Sequence, residues 1–293
     1  MKKIMSTILA LSMTLAMAGC AGGGTADTQA PDTTAASDTE TQAAAETDTV
    51  AAETEAAADD TAAADETGAS QAASGEVMSY DEYVAAELDT QVTIQAYVQD
   101  KQSWYAEQET ATVYAQDQDG AYFLYDMACS EEDYDLLVPG TKIQVTGYKS
   151  EWSGEVEIID ATFEFVDDGD TYIAEPLDVT EMLGTDELIS HQNELVSLTG
   201  MTVEAAGQDE NGNDVAFLYN YDGSGTQGDD VYFNVSYNGE TYTFVVESYL
   251  RDSSSDVYKA AEALEIGQTI NMEGFLYWYE GVNPHITSIT VAE

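Results

Sequence analysis

The chain holds only three tryptophans, Trp104, Trp152 and Trp278, and each stands in a short polar stretch between alternating apolar runs. SWYAEQE at 103–109, GYKSEWSG at 147–154 and GFLYWYEG at 274–281 set them beside Tyr105, Tyr148, Lys149, Tyr277 and Tyr279. Exposed rings give wide, stiff contact at little entropic cost and stack on the flat faces of sugars or bases. A ring in such a loop can equally fold down over the end of its own core with its N–H facing water. The sequence leaves both readings open, and these eight residues are the candidate ligand contacts.

Other chemistry has less material. DENGND at 209–214 places Asp209, Asn211 and Asp214 around a glycine, oxygen donors of the kind Ca²⁺ prefers, but without the spacing or final Glu of an EF-hand loop. NG and DG also mark hairpin turns, so this stretch is a candidate calcium site with a plain turn as its alternative. The two histidines, His191 and His285, lie far apart in sequence, and no HExxH, GxSxG, Walker or Rossmann glycine pattern occurs. Acid pairs for glycoside hydrolysis cannot be singled out where acids are everywhere. The expectation is a non-catalytic protein without a tightly held cofactor.

Charge narrows the ligand. There are 57 Asp and Glu against 7 Lys and Arg. Thirteen of those acids and two of the lysines precede residue 78, so the rest of the chain keeps a large negative excess. Nucleic-acid binding draws on cations that neutralise phosphates, so that partner is disfavoured, while neutral glycans or peptides suit Trp, Tyr, Asp and Asn.

The elements that must carry these loops occur twice. LLVPGTKIQVTGYKSEWSGEVEIIDATFEF aligns with ALEIGQTINMEGFLYWYEGVNPHITSITV, pairing Gly140 with Gly267, Gly147 with Gly274 and Gly154 with Gly281. Upstream, TQVTIQAYV aligns with ELVSLTGMTV, and the second copy carries an insertion at about 205–230. Each copy predicts a leading helix (SYDEYVAAEL; DVTEMLGTDELI), a long strand, a hairpin turning at DG or NG, a short serine-capped helix, and two final strands. Three strands, a helix and two strands is the order of the OB-fold, a five-stranded Greek-key barrel. PGTKIQVTGY and IGQTINMEGF resemble the matching part of bacterial OB-type domains of the nucleic-acid-binding-like class. The fold expected is mostly β: two tandem OB-like barrels, at 78–168 and 169–293. The resemblance implies a ligand surface on strands 2 and 3 and the loops after strands 1 and 4, where the tryptophans fall.

The N-terminus, MKKIMSTILALSMTLAMAGC, resembles a bacterial lipoprotein signal, with Met17-Ala18-Gly19-Cys20 in the lipobox position. This implies a signal peptide at 1–19 and lipidation of Cys20, placing the mature protein on the outer side of the cytoplasmic membrane. Residues 20–77, rich in Ala, Thr and acids and free of aromatics, read as a disordered stalk. With Cys20 lipidated, Cys129 is the one remaining thiol and reads as a small buried hydrophobe. The function expected is capture of a neutral glycan or peptide at the aromatic loops. The alternatives are docking on another envelope protein and, last, binding of single-stranded nucleic acid.

Overall fold

The computed structural model describes residues 75–292. The signal peptide, Cys20 and nearly all of the stalk lie outside them. The first barrel is closed, in the order β1-β2-β3-β5-β4, from strands β1 (Gln91–Lys101), β2 (Thr110–Gln116), β3 (Ala121–Ala128), β4 (Lys142–Trp152) and β5 (Glu155–Phe165). Helix α1 (Tyr80–Ala85) leads in, and α2 (Glu131–Leu136) sits between β3 and β4. Both start on serine caps. Ser79 and Glu82 form a reciprocal capping box, and the Ser130 hydroxyl accepts from the Asp133 amide.

Short β6 (Leu177–Asp178) runs beside β7 (Leu195–Glu204), the first long strand of the second barrel. The insertion contributes β8 (Gly207–Gln208), β9 (Asp214–Val215) and β10 (Phe217–Tyr219). Next come β11 (Val231–Tyr237), β12 (Glu240–Val246), α3 (Asp256–Glu262), β13 (Thr269–Phe275) and β14 (His285–Val291). Pairing of β11 with β7, Val235 opposite Val203, closes this sheet into a barrel as well. In both barrels the last strand joins the third in parallel, Phe123 opposite Glu157 and Val245 opposite His285. That is the OB arrangement, so the tandem OB-like fold expected from the repeat is the fold observed.

The helix predicted over DVTEMLGTDELI is instead two 3-10 turns, Thr180–Met182 and Leu188–His191. Gly184, at φ +78°, breaks the path between them. The paired glycines Gly147 and Gly274 both sit at bulges, where the neighbouring strand crosses closely. A Cβ at Gly147 would lie 2.8 Å from the Ile159 carbonyl, and one at Gly274 only 2.3 Å from that of His285.

Each barrel has its own core. Ile94, Val98, Leu124, Ile143 and Ile158 fill the first, and Leu198, Val203, Phe233, Phe244 and Ile270 the second. A third buried cluster joins them: Tyr114 and Phe123 of barrel 1 with Phe275 and Leu250 of barrel 2, flanked by Leu195 and Tyr277. An OB strand alternates between interior and surface, yet all seven residues of β2 are buried. The second barrel covers its outer face at Tyr114 and Gln116.

Candidate functional site

That cover changes where a ligand can go. The outer face of β2 and β3, which the sequence reading assigns to ligand, is largely closed at Tyr114, stacked on Phe275 with centroids 4.3 Å apart, and at Gln116, whose side-chain oxygen accepts from the Leu195 amide at 2.9 Å. Only the end of the face near the β1–β2 loop stays open. There a cleft of about 400 Å³ is lined by Trp104, Tyr105, Thr110, Tyr125 and Tyr249, with Ser103, Thr112 and Asp126 among its polar groups. Tyr249 comes from barrel 2, is 68% exposed, and is fixed by a hydrogen bond from the Ser103 amide to its carbonyl at 2.7 Å. Trp104 is anchored, its indole N–H donating to the Cys129 carbonyl at 2.9 Å. The Thr110 hydroxyl is buried without a partner. The aromatic walls and an unmatched hydroxyl fit a ligand with a flat apolar face and hydroxyls of its own.

The remaining sequence candidates separate into three groups. Trp152 and Tyr279 stay exposed and meet ring to ring, centroids 5.1 Å apart, where the two β-hairpin tips touch. The Glu280 amide donates to the Ser153 carbonyl at 2.7 Å across that contact. Trp278 and Tyr277 belong to the joint between barrels: Trp278 lies against Gly154, where a Cβ would fall 2.8 Å from its ring, and Tyr277 stacks on His285 at 4.2 Å. Lys149 does not face a ligand. Its buried ammonium donates to the carbonyls of Tyr83, Val84 and Ala86 at 2.9–3.0 Å, tying down the end of α1, and burial lowers its pKa. Tyr148 stands exposed on β4, outside the cleft.

The joint holds titratable groups that no motif announced. Glu155 is fully buried; one carboxylate oxygen accepts from the Trp278 amide at 2.9 Å and the other has no partner. Loss of water pushes its pKa up to about 8, against the opposing pull of Asn193 and the Trp278 amide and helped by the nearby Glu157. Glu247, accepting from the amides of Tyr249 and Leu250, is raised by burial and by Asp230 to about 7. Burial holds His285 down at about 3, so its ring is neutral. Gln102 donates to the Tyr114 hydroxyl at 3.4 Å, and that hydroxyl shares a hydrogen bond with His285 Nδ1 at 2.5 Å. Cys129 is buried and raised to about 11, which makes it an inert thiol.

All five basic side chains among the described residues are occupied within the protein. Lys101 donates to the Tyr134 carbonyl and Lys142 pairs with Asp168 at 2.6 Å. Arg251 pairs with Asp100 across the joint, and Lys259 donates to the Ser254 carbonyl. With Lys149 on β4 held by the carbonyls at the end of α1, no cationic track forms among the described residues.

The insertion folds over α3 of its own barrel. Tyr219 and Gln227 both donate to Glu262, at 2.6 and 2.8 Å, and the Tyr258 hydroxyl donates to the Asp229 carbonyl. The expected calcium ligands do not converge. Asp209 uses both carboxylate oxygens inside its turn, accepting from the backbone of Asn211 and Asn213 and the Asn213 side chain, while Asp214 accepts from Gln208. Among the described residues no three His, Cys, Asp or Glu gather as a metal-binding group. Millimolar Ca²⁺ should therefore leave the thermal melting point unchanged; a clear rise would mean the turn opens to take the ion.

No protein-family model matches this chain, and no curated protein does. Among solved structures, the tetrameric p202 HIN2 domain is similar at 13% identity and TM-score 0.30, covering 71% of this chain and 96% of that one. The p204 HINb domain matches at 10% identity and TM-score 0.33, over 71% of this chain and 100% of that one. A Replication Protein A heterotrimer bound to ssDNA matches at 10% identity and TM-score 0.23, over 74% and 69%. At these values no contact residue carries across.

Proposed function

We propose that this is a non-catalytic binding protein that takes a neutral glycan in the Trp104–Tyr249 cleft. The observation that carries the reading is the cleft itself, four aromatic residues drawn from both barrels around hydroxyl and amide groups, with one acid and no base in its lining. Sugar rings present flat C–H faces to such rings and hydroxyls to groups like Thr110 and Ser103. A phosphate backbone would meet Asp126 and no free cation, which disfavours nucleic acid. Lipidation of Cys20 and a long acidic stalk would carry the barrels clear of a membrane surface; among the described residues no helix is long and apolar enough to cross one.

Isothermal titration of the full chain against a panel of neutral oligosaccharides tests the reading. A binder should lose about tenfold or more in affinity with Tyr125→Ala or Tyr249→Ala, since stacking is worth about 1–3 kcal/mol per ring. Raising salt should leave the affinity nearly constant. No binding across the panel, or equal binding by both variants, sinks it.

A further inference from the structure

A second cleft, of about 450 Å³, opens where α1, the β4–β5 turn and the turn at 189–193 meet, so both barrels contribute to it. Its apolar lining includes Tyr80, Val84, Val156 and Ile189. Two of its polar side chains are consumed by the fold: Lys149 by the α1 carbonyls, and Gln192 by the Gly154 carbonyl and the Val156 amide. Two others keep an unpartnered oxygen. The Tyr83 hydroxyl has no partner, and Asn193, whose side-chain nitrogen donates to the Val156 carbonyl at 3.2 Å, has none for its oxygen; the two residues are only 3% and 4% exposed. A buried oxygen left this way costs about 1–3 kcal/mol, so each wants a hydrogen-bond donor. Asp81 and Glu151 also line the cleft, both exposed and neither in an ion pair among the described residues.

What these walls lack is a positively charged donor on an apolar body. We propose that this cleft is a second ligand site, separate from the glycan cleft, and that it takes a primary amine borne on an aromatic or aliphatic group. An ammonium supplies three donors for unpartnered oxygens, and the half-exposed Tyr80 ring adds a face that attracts a cation, the Tyr83 ring being already covered by Lys149. The two rim carboxylates favour the amine over an acid of the same shape.

The test uses 2-phenylethylamine as ligand, titrated into the ¹⁵N-labelled full chain, with 2-phenylethanol and 3-phenylpropionate, which carry their polar groups on the same two-carbon arm, as neutral and anionic controls. Saturable amide shifts grouped on α1, 149–156 and 189–193 are expected with the amine, and binding of either control about tenfold weaker. Asp81→Asn with Glu151→Gln should weaken the amine about tenfold. Tyr83→Phe should weaken it severalfold while the melting point holds or rises, because an unpartnered hydroxyl leaves the interior. Tyr125→Ala, which alters only the first cleft, should change nothing, so failure of glycan binding and failure of amine binding are read separately. Shifts absent or scattered, equal affinity for the alcohol, or a Tyr83→Phe variant that binds the amine as before would overturn the proposal.

Discussion

Glu155→Gln should stabilise the protein by several kcal/mol at pH 8 and by far less at pH 5. The carboxyl of Glu155 titrates near 4.5 in the unfolded chain and near 8 in the fold, where it is held without water between the barrels. Between those pH values the unfolded chain has released the proton and the folded one keeps it. Each unit of rising pH then moves the balance toward unfolding by up to about 1.4 kcal/mol. The contribution is absent below 4.5 and complete above 8. Glutamine removes the titration and keeps an acceptor for the Trp278 amide. Denaturant melts of both proteins from pH 5 to 8.5 decide it: the two stability curves should diverge as pH rises. Parallel curves would mean the carboxyl already reaches water. Glu247 adds a similar slope up to about pH 7 in both proteins and so drops out of the difference.

Phe275→Ala should cost about 3–5 kcal/mol and separate the two barrels' unfolding. Phe275 is buried against Tyr114 of the other barrel at 4.3 Å, and beside it lie Phe123 and Leu250. The shared cluster is small, and the polar contacts around it, the Arg251–Asp100 pair and the Gln116 and Gln192 hydrogen bonds, depend on the faces staying in register. Differential scanning calorimetry of the parent should give one cooperative transition, and of the variant two. Ile94→Ala, which opens a void inside barrel 1 only, serves as the control for general destabilisation. A variant that loses stability but still unfolds in one step would show that the barrels are coupled through the hairpin tips and the 166–176 connection instead.

The repeat was legible because each copy must solve the same local problem. Gly147 and Gly274 recur since a strand passes too close for a Cβ; in the NG hairpin Asn238 and Gly239 both take positive φ, whereas Gly120 of the DG hairpin is required by the Tyr80 ring, 2.2 Å from where a Cβ would stand. Ser130 announced its helix by the spacing of its capping partner Asp133. Of the candidate site, Trp104 and Tyr105 were legible as aromatics in the loop after strand 1. Tyr125 and Tyr249 were not, because Tyr125 looks like any alternating strand residue and Tyr249 reaches the cleft from the other barrel. Lys149 misled for the same reason: its partners in α1 lie more than sixty residues away in sequence. Glu155 was one acid among many until a neighbouring barrel buried it. Contacts between copies leave no period in a sequence.

The tip-to-tip hairpins and the shared aromatic cluster fix more than stability. The exposed Trp152–Tyr279 pair and the Trp104–Tyr249 cleft each draw one wall from either barrel, so neither platform can be re-aimed by a flexing hinge. A chain-like ligand long enough to touch both would be measured against a constant span, its second contact made at a local concentration set by the protein rather than by a linker. Built this way, the double barrel holds its two aromatic platforms in one fixed relation.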